Sequence, residues 1–212
     1  MTVTIDHILY GCADVEAARR SISALSGTAP ANGGRHAGLG TRNALLSLGP
    51  HTYLEVIGPD EQQPEVGRPL LFAVRSLRHP SLRTWAARTD DIEGAVEALL
   101  SAGHDPGPVV EGSRLLPDGE ELHWAMTSGE QGPEVSVIPF LIDWRDSVHP
   151  AVTSPPGLLL ERLVVLTPEL EAVKSTLDAL GVEGPLEVRA SPAPALWAEL
   201  SGPEGLRLFL SS

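Results

Sequence analysis

The chain of 212 residues contains one cysteine, Cys12, so no internal disulfide can form and nothing marks an oxidising compartment. Asp14 and Glu16 lie close by in sequence and disfavour a thiolate, so Cys12 reads as a packing residue. Basic side chains are few, 15 against 28 acidic ones, and the formal charge of -13 repels a nucleic-acid backbone. No run of 18 apolar residues is present, so no membrane span is expected. Residues 1–6 lack a basic stretch followed by an apolar one; no signal peptide and a cytoplasmic location are therefore expected. Gly-x-Ser-x-Gly, paired cysteines and His-Glu-x-x-His are all missing, which argues against a serine hydrolase or a zinc protease. The glycine-rich stretch from Gly33 to Gly40 lacks the lysine and hydroxyl of a phosphate loop and reads as a flexible edge over a cleft.

What the chain does have is a repeat. An apolar run, an acid, an aliphatic residue and a glutamate recur, and the three copies place their acids at Asp14, Asp91 and Glu169, 77 and 78 residues apart. Each run reads as a strand, and Asp14, Asp91 or Thr167 supplies the oxygen that caps the helix after it. Pro168 suits a first helical position. Helical spacing follows at Val15, Ala18, Ile22 and Leu25, at Ile92, Val96 and Leu99, and at Leu170, Val173, Leu177 and Leu180. Gly27, Gly103 and Gly181 close the three helices. Strand pairs come next: 44–48 with 53–57, 122–127 with 135–142, and 197–200 with 206–210. The stretches 58–69, 103–112 and 150–157 read as loops or linkers. An α+β architecture follows, with modules over residues 1–80, 81–150 and 158–212.

The order of elements, the Asp6-His7-Ile8 opening and the strand Tyr53-Leu54-Glu55-Val56-Ile57 resemble the vicinal oxygen chelate superfamily. The segment from Gly40 to Gly49, with Pro139-Phe140-Leu141-Ile142-Asp143-Trp144 and His149-Pro150, is similar to its glyoxalase-like domain proteins. The likeness covers roughly residues 3–150 well and the third copy more loosely. It implies repeated βαβββ modules (glyoxalase/bleomycin resistance/dihydroxybiphenyl dioxygenase-like), two of them paired, plus a partial third.

The resemblance also implies a site. In metal-using members each of two modules offers His or Glu ligands from its first and last strands, and here the matching residues are His7 and Glu55. Strand alternation puts Ile5, His7 and Leu9 on one face, and Tyr53, Glu55 and Ile57 on one face. The second module offers only Thr84 opposite His7 and Ser136 opposite Glu55. A third ligand would have to come from Asp143, His149 or His123. The alternative is a metal-free cleft in which His7 hydrogen-bonds Glu55.

Arg42 and Asn43 stand where a substrate carboxylate could be held, Tyr53 beside Glu55, and Arg88 on the same face as Thr84. Trp85, Trp124 and Trp197 read as core, and Trp144 as a stacking wall or a cap over the barrel end. Three functions stay open. One is a lyase, isomerase or dioxygenase with one divalent ion on His7 and Glu55, the latter alternatively a catalytic proton shuttle. The others are a metal-free small-molecule binder and a dimerising scaffold.

Overall fold

The computed structural model describes residues 2–36, 38–63, 71–115, 121–129 and 134–212. The first module runs β1 (Val3–Gly11), α1 (Val15–Ser26), β2 (Ala31–His36), β3 (Thr41–Ser47) and β4 (Tyr53–Pro59). The second runs β5 (Ser81–Thr89), α2 (Ile92–Ser101), β6 (Val109–Leu115), β7 (Glu121–Thr127) and β8 (Phe140–Asp143). After a short helix α3 (Pro150–Thr153) come β9 (Leu159–Thr167), α4 (Leu170–Leu180), β10 (Val182–Glu183), β11 (Leu186–Ala190), β12 (Ala195–Ser201) and β13 (Arg207–Ser211).

Both helices of the paired modules start as the caps demand. Asp14 accepts from the Ala17 N–H and Asp91 from the Gly94 N–H, each satisfying one orphan donor of a first turn. Gly27 and Gly181 close their helices in the left-handed conformation, which glycine adopts without a Cβ clash. Gly103 follows Ala102, the residue that ends α2. In the third unit Thr167 Oγ1 accepts from the Glu169 N–H, and the helix begins at Leu170, so Pro168 precedes it rather than opening it. On α1 the buried face is Val15, Ala18, Ile22 and Ser26, whereas Leu25 faces solvent.

The two modules form one sheet in the order β2-β3-β4-β1-β5-β8-β7-β6. Within each module the first strand pairs parallel with the last, β1 with β4 and β5 with β8, and the modules join where β1 runs antiparallel to β5. The arrangement is a pseudo-twofold one, and it is visible residue by residue. Ile5 faces Ala87 and His7 faces Ala86, leaving Asp6 as an extra residue in β1; Leu9 faces Thr84 and Tyr10 faces Leu82, leaving Arg83 as an extra residue in β5. Positions 6 and 83 are separated by the same 77 residues as the helix caps.

These bulges correct the simple alternation. An extra residue resets which face the following side chains take. Ile5 therefore packs with Ile8 in the main core, while His7 and Leu9 line the opposite face of the sheet. The bulge also lets Asp6 and His7, neighbours in sequence, meet on that same face.

The final strand of the second module is shorter than the apolar run suggests. Residues 135–139 lie outside the ladder, Pro139 has no N–H to give it, and pairing begins at Phe140. Ala86 faces Phe140 as Leu9 faces Glu55, so Phe140, not Ser136, holds the place of Glu55 in the second module. Ser136 instead donates its N–H to Arg83 O and its hydroxyl to Ile138 O. Parts of the stretches read as loops are also regular: Gly58 and Pro59 end β4, residues 109–112 belong to β6, and 150–153 form α3. Residues 64–69 fall outside the described residues.

The third unit has its own four-stranded sheet, in the order β11-β9-β12-β13, with β9 between a parallel and an antiparallel neighbour. That order differs from the paired modules, where the first strand pairs parallel with the last. The unit packs on the outer face of the main sheet. Leu163, Val165, Leu196 and Leu200 share one core with Trp85, Ile92, Leu99 and Leu141, and β10 adds two residues beside Val3 and Thr4 of β1. Trp85 is fully buried there, as its strand position suggested, and burial of such side chains is the main stabilising contribution. Trp197 differs: Leu196, Ala198 and Leu200 take the inward face of β12, so Trp197 turns outward, stacked on Phe209 beneath the Arg162 guanidinium. No helix among the described residues is long and apolar enough to cross a membrane.

Candidate functional site

The concave face of the main sheet holds a cleft of about 110 Å³. Its polar floor is His7, Asn43, Tyr53 and Glu55, and its apolar walls include Leu9, Leu45, Ile57, Trp124, Met126 and Phe140. The two modules therefore contribute unequally: the first supplies most of the polar groups and the second most of the large apolar ones.

The floor is a chain of buried charges. His7 Nδ1 donates to Asp6 Oδ1 at 2.6 Å, and its Nε2 stands 3.4 Å from Glu55 Oε2. Asp6 accepts two further bonds on its other oxygen, from His149 Nε2 at 2.8 Å and from Trp144 Nε1 at 3.0 Å. The Ala151 N–H donates to His149 Nδ1, which assigns the ring proton to Nε2. Burial by itself would neutralise these groups. Their mutual bonding prevails instead: it pushes His7 up to about 9 against its desolvation and draws Glu55 down to about 2, and the bonds from His149 and His7 hold Asp6 below the usual carboxylate range. At neutral pH His7 is an imidazolium clamped between two carboxylates, its ring stacked on Tyr53 with centroids 4.6 Å apart. The same two carboxylates, after burial itself, drive the Tyr53 hydroxyl well above its ordinary range.

Asn43 orients the other side of Glu55. Its Nδ2 donates to Glu55 Oε1 at 2.6 Å, and its Oδ1 accepts the Gly34 N–H at 2.8 Å. His36 lies next to it, with Nε2 3.2 Å from Asn43 Nδ2 and 3.6 Å from Glu55 Oε1. Its Nδ1 bonds Thr41 Oγ1 at 2.8 Å. Desolvation lowers the His36 pKa, the Glu55 charge opposes that, and the Arg114 charge adds to it.

Of the residues singled out by sequence, His7, Asn43, Tyr53, Glu55 and Trp144 come together here. Arg42 does not. It alternates with Asn43 along β3, points to the helix side, and donates to Glu16 Oε1 of α1 at 3.0 Å. Arg88 does not either: it lies beside Thr4 in a shallow depression on the far side of Trp144 and His149. Trp124, read as core, is half-buried and walls the cleft. Sequence reasoning passed over Asp6, His36 and Arg114, the last of which enters the cleft from β6. The signal of Arg114 was slight, a lone arginine just beyond the stretch 103–112 that reads as loop.

The donor set can be tested against a divalent ion. His7 and Glu55 converge, but their pseudo-twofold counterparts are Thr84 and Phe140, and the Phe140 ring stands edge-on to His7 at 5.4 Å. His149 faces Asp6 on the far side of His7, Asp143 pairs with Arg145, and His123 is exposed, so none of the expected third ligands arrives. Among the described residues no group of three His, Cys, Asp or Glu side chains could hold an ion. Two protein ligands, each already bonded to protein partners, do not fit a resident divalent metal.

A family model, the glyoxalase-like domain, matches residues 5–181. The chain belongs to that family. The match runs past the two paired modules and through α4 of the third unit. No curated protein matches the chain. Among solved structures, the chain is similar to a hypothetical protein from Staphylococcus aureus at 14% identity and a TM-score of 0.64, over 91% of this chain and 88% of that one. It also aligns with methylmalonyl-CoA epimerase from Mycobacterium tuberculosis at 19% identity and a TM-score of 0.43, over 69% and 90% of the two chains. A mutant 4-hydroxymandelate synthase from Streptomyces coelicolor aligns at 17% identity and a TM-score of 0.49, over 99% of this chain and 62% of that one. The fold is the paired βαβββ arrangement of the vicinal oxygen chelate superfamily.

Proposed function

We propose that this glyoxalase-like protein binds a small organic molecule in the cleft without a resident metal ion. The observation that carries this reading is the state of His7 and Glu55. They pair with each other, Asp6 bonds the second ring nitrogen of His7, Asn43 bonds the second oxygen of Glu55, and Phe140 fills the place of a second-module carboxylate. A Glu55 carboxylate held near 2 is also a weak base at neutral pH, because general-base catalysis works best with a pKa close to the working pH. The charged floor thus orients a polar end of a ligand, while Trp124, Met126 and Phe140 enclose its apolar body.

Ligand screening by quenching of Trp124 and Trp144 emission tests this directly, with chelator-treated and untreated protein in parallel. Equal affinities in the two preparations are expected. Binding that disappears on chelation and returns with a divalent ion would overturn the metal-free reading and restore the ion-dependent enzyme as the better account.

A further inference from the structure

Arg114 belongs to the second module, yet it reaches the first module's half of the cleft. The outer strands β2 and β6 approach each other at the seam of the curled sheet, and the Arg114 side chain crosses that seam over Gly33 and Gly34. A Cβ at Gly34 would overlap Arg114 Cδ, and one at Gly33 would overlap the Asn43 amide oxygen. The pair of glycines thus forms a cradle, and β2 departs from regular register between Asn32 and Arg35 where it does so. Arg114 Nη1 ends 3.5 Å from Asn43 Oδ1.

Three features mark this cation. It is the sole Arg or Lys among the described residues lining the cleft. No carboxylate of the described residues pairs with it, whereas Arg42, Arg145, Arg162 and Arg189 each hold an acid within 3.0 Å. Its charge acts on groups across the cleft: it adds to the burial that lowers His36, and opposes the burial that raises Tyr53. The nearest carboxylate on the floor, Glu55, is compensated by His7 and is separated from Arg114 by the Asn43 carboxamide.

Resting on the small-molecule reading above, we infer that the ligand is an organic acid whose carboxylate pairs with Arg114 while its apolar or aromatic body lies against Trp124, Met126 and Phe140. A guanidinium at the edge of an apolar cleft matches a carboxylate through two parallel N–H···O bonds, and partial desolvation strengthens them. A hydroxyl or amino group on the same molecule could then donate to Glu55, one carboxamide's width away.

Benzoate, benzamide and benzylamine are matched in size and differ in charge, so their binding to the full chain separates the possibilities. The wild type is expected to bind benzoate about tenfold or more tightly than benzamide. That preference should vanish in Arg114→Gln, return in part in Arg114→Lys, and fall in Gly34→Ala, which keeps the charge and displaces its carrier. A thermal melt of each variant confirms that it folds. Benzamide or benzylamine binding as well as benzoate, or a benzoate preference that survives Arg114→Gln, overturns the organic-acid inference and leaves the cleft reading standing. If none of the three probes binds at millimolar concentration, both fall.

Discussion

Asp6 and His7 are consecutive residues of one strand, and the Nδ1 of His7 donates to the carboxylate of Asp6 at 2.6 Å. In a regular strand the two side chains would point to opposite faces. The bulge at Asp6 removes that separation and makes the pair possible, so a local backbone irregularity sets the charge state of the cleft floor.

The first expectation concerns that pair. Asp6→Asn keeps the shape and removes the charge, leaving His7 with Glu55 alone. Breaking a buried ion pair typically destabilises by about 3–5 kcal/mol. Chemical denaturation should show a loss of that order, and an NMR titration should show His7 deprotonating at lower pH than in the wild type. An unchanged His7 titration would mean that Asp6 does not hold its proton.

Stability should also follow pH through the same network. His7 is raised from 6.5 to about 9, so its contribution is fully present below 6.5 and is lost as pH rises through about 9. Glu55 is lowered from 4.5 to about 2, so its contribution is present above 4.5 and is lost as pH falls through about 2. The joint contribution of His7 and Glu55 is therefore greatest between about pH 4.5 and 6.5, and His36 with its lowered pKa favours the upper end of that window. Melting temperature should decline toward pH 9, with the alkaline decline reduced in His7→Gln. A wild type and a His7→Gln variant that decline in parallel would place the pH dependence elsewhere.

The metal misfit can be reversed by design. Thr84→His with Phe140→Glu supplies the two donors that the second module lacks. Zinc should raise the melting temperature of the double variant and leave the wild type unchanged, because an ion bound to the native state alone stabilises it. Equal stabilisation of both proteins would show that His7 and Glu55 suffice to hold an ion.

Cys12 gives a simple check on the core. Its thiol is fully buried, contacts the Ile57 carbonyl at 3.4 Å, and is pushed up to about 12 by burial and the nearby Asp14. A thiol-reactive dye should leave the native protein unlabelled and react quickly in denaturant. Rapid labelling of the native state would contradict this packing.

Much of the architecture is legible in the sequence because it depends on local chemistry. Asp14 and Asp91 cap their helices whatever lies around them, Gly27 and Gly181 end theirs through backbone freedom, and the 77-residue repeat announces the paired modules. The alternation of Tyr53, Glu55 and Ile57 likewise puts all three in the cleft, since β4 contains no bulge.

Other features needed the fold. The bulges at Asp6 and Arg83 arise from pairing between strands about 80 residues apart, and no local signal announces them. Phe140 rather than Ser136 came to stand opposite Ala86 because register is set by the partner strand and by where Pro139 interrupts the ladder. Arg42 and Arg114 show the division most clearly. Each is a lone arginine in sequence, yet alternation along β3 sends Arg42 to Glu16, while the meeting of β2 and β6 carries Arg114 over two glycines into the cleft. Local propensity and capping chemistry determined which elements form; long-range strand pairing decided which charges meet, because only pairing determines the face each side chain takes.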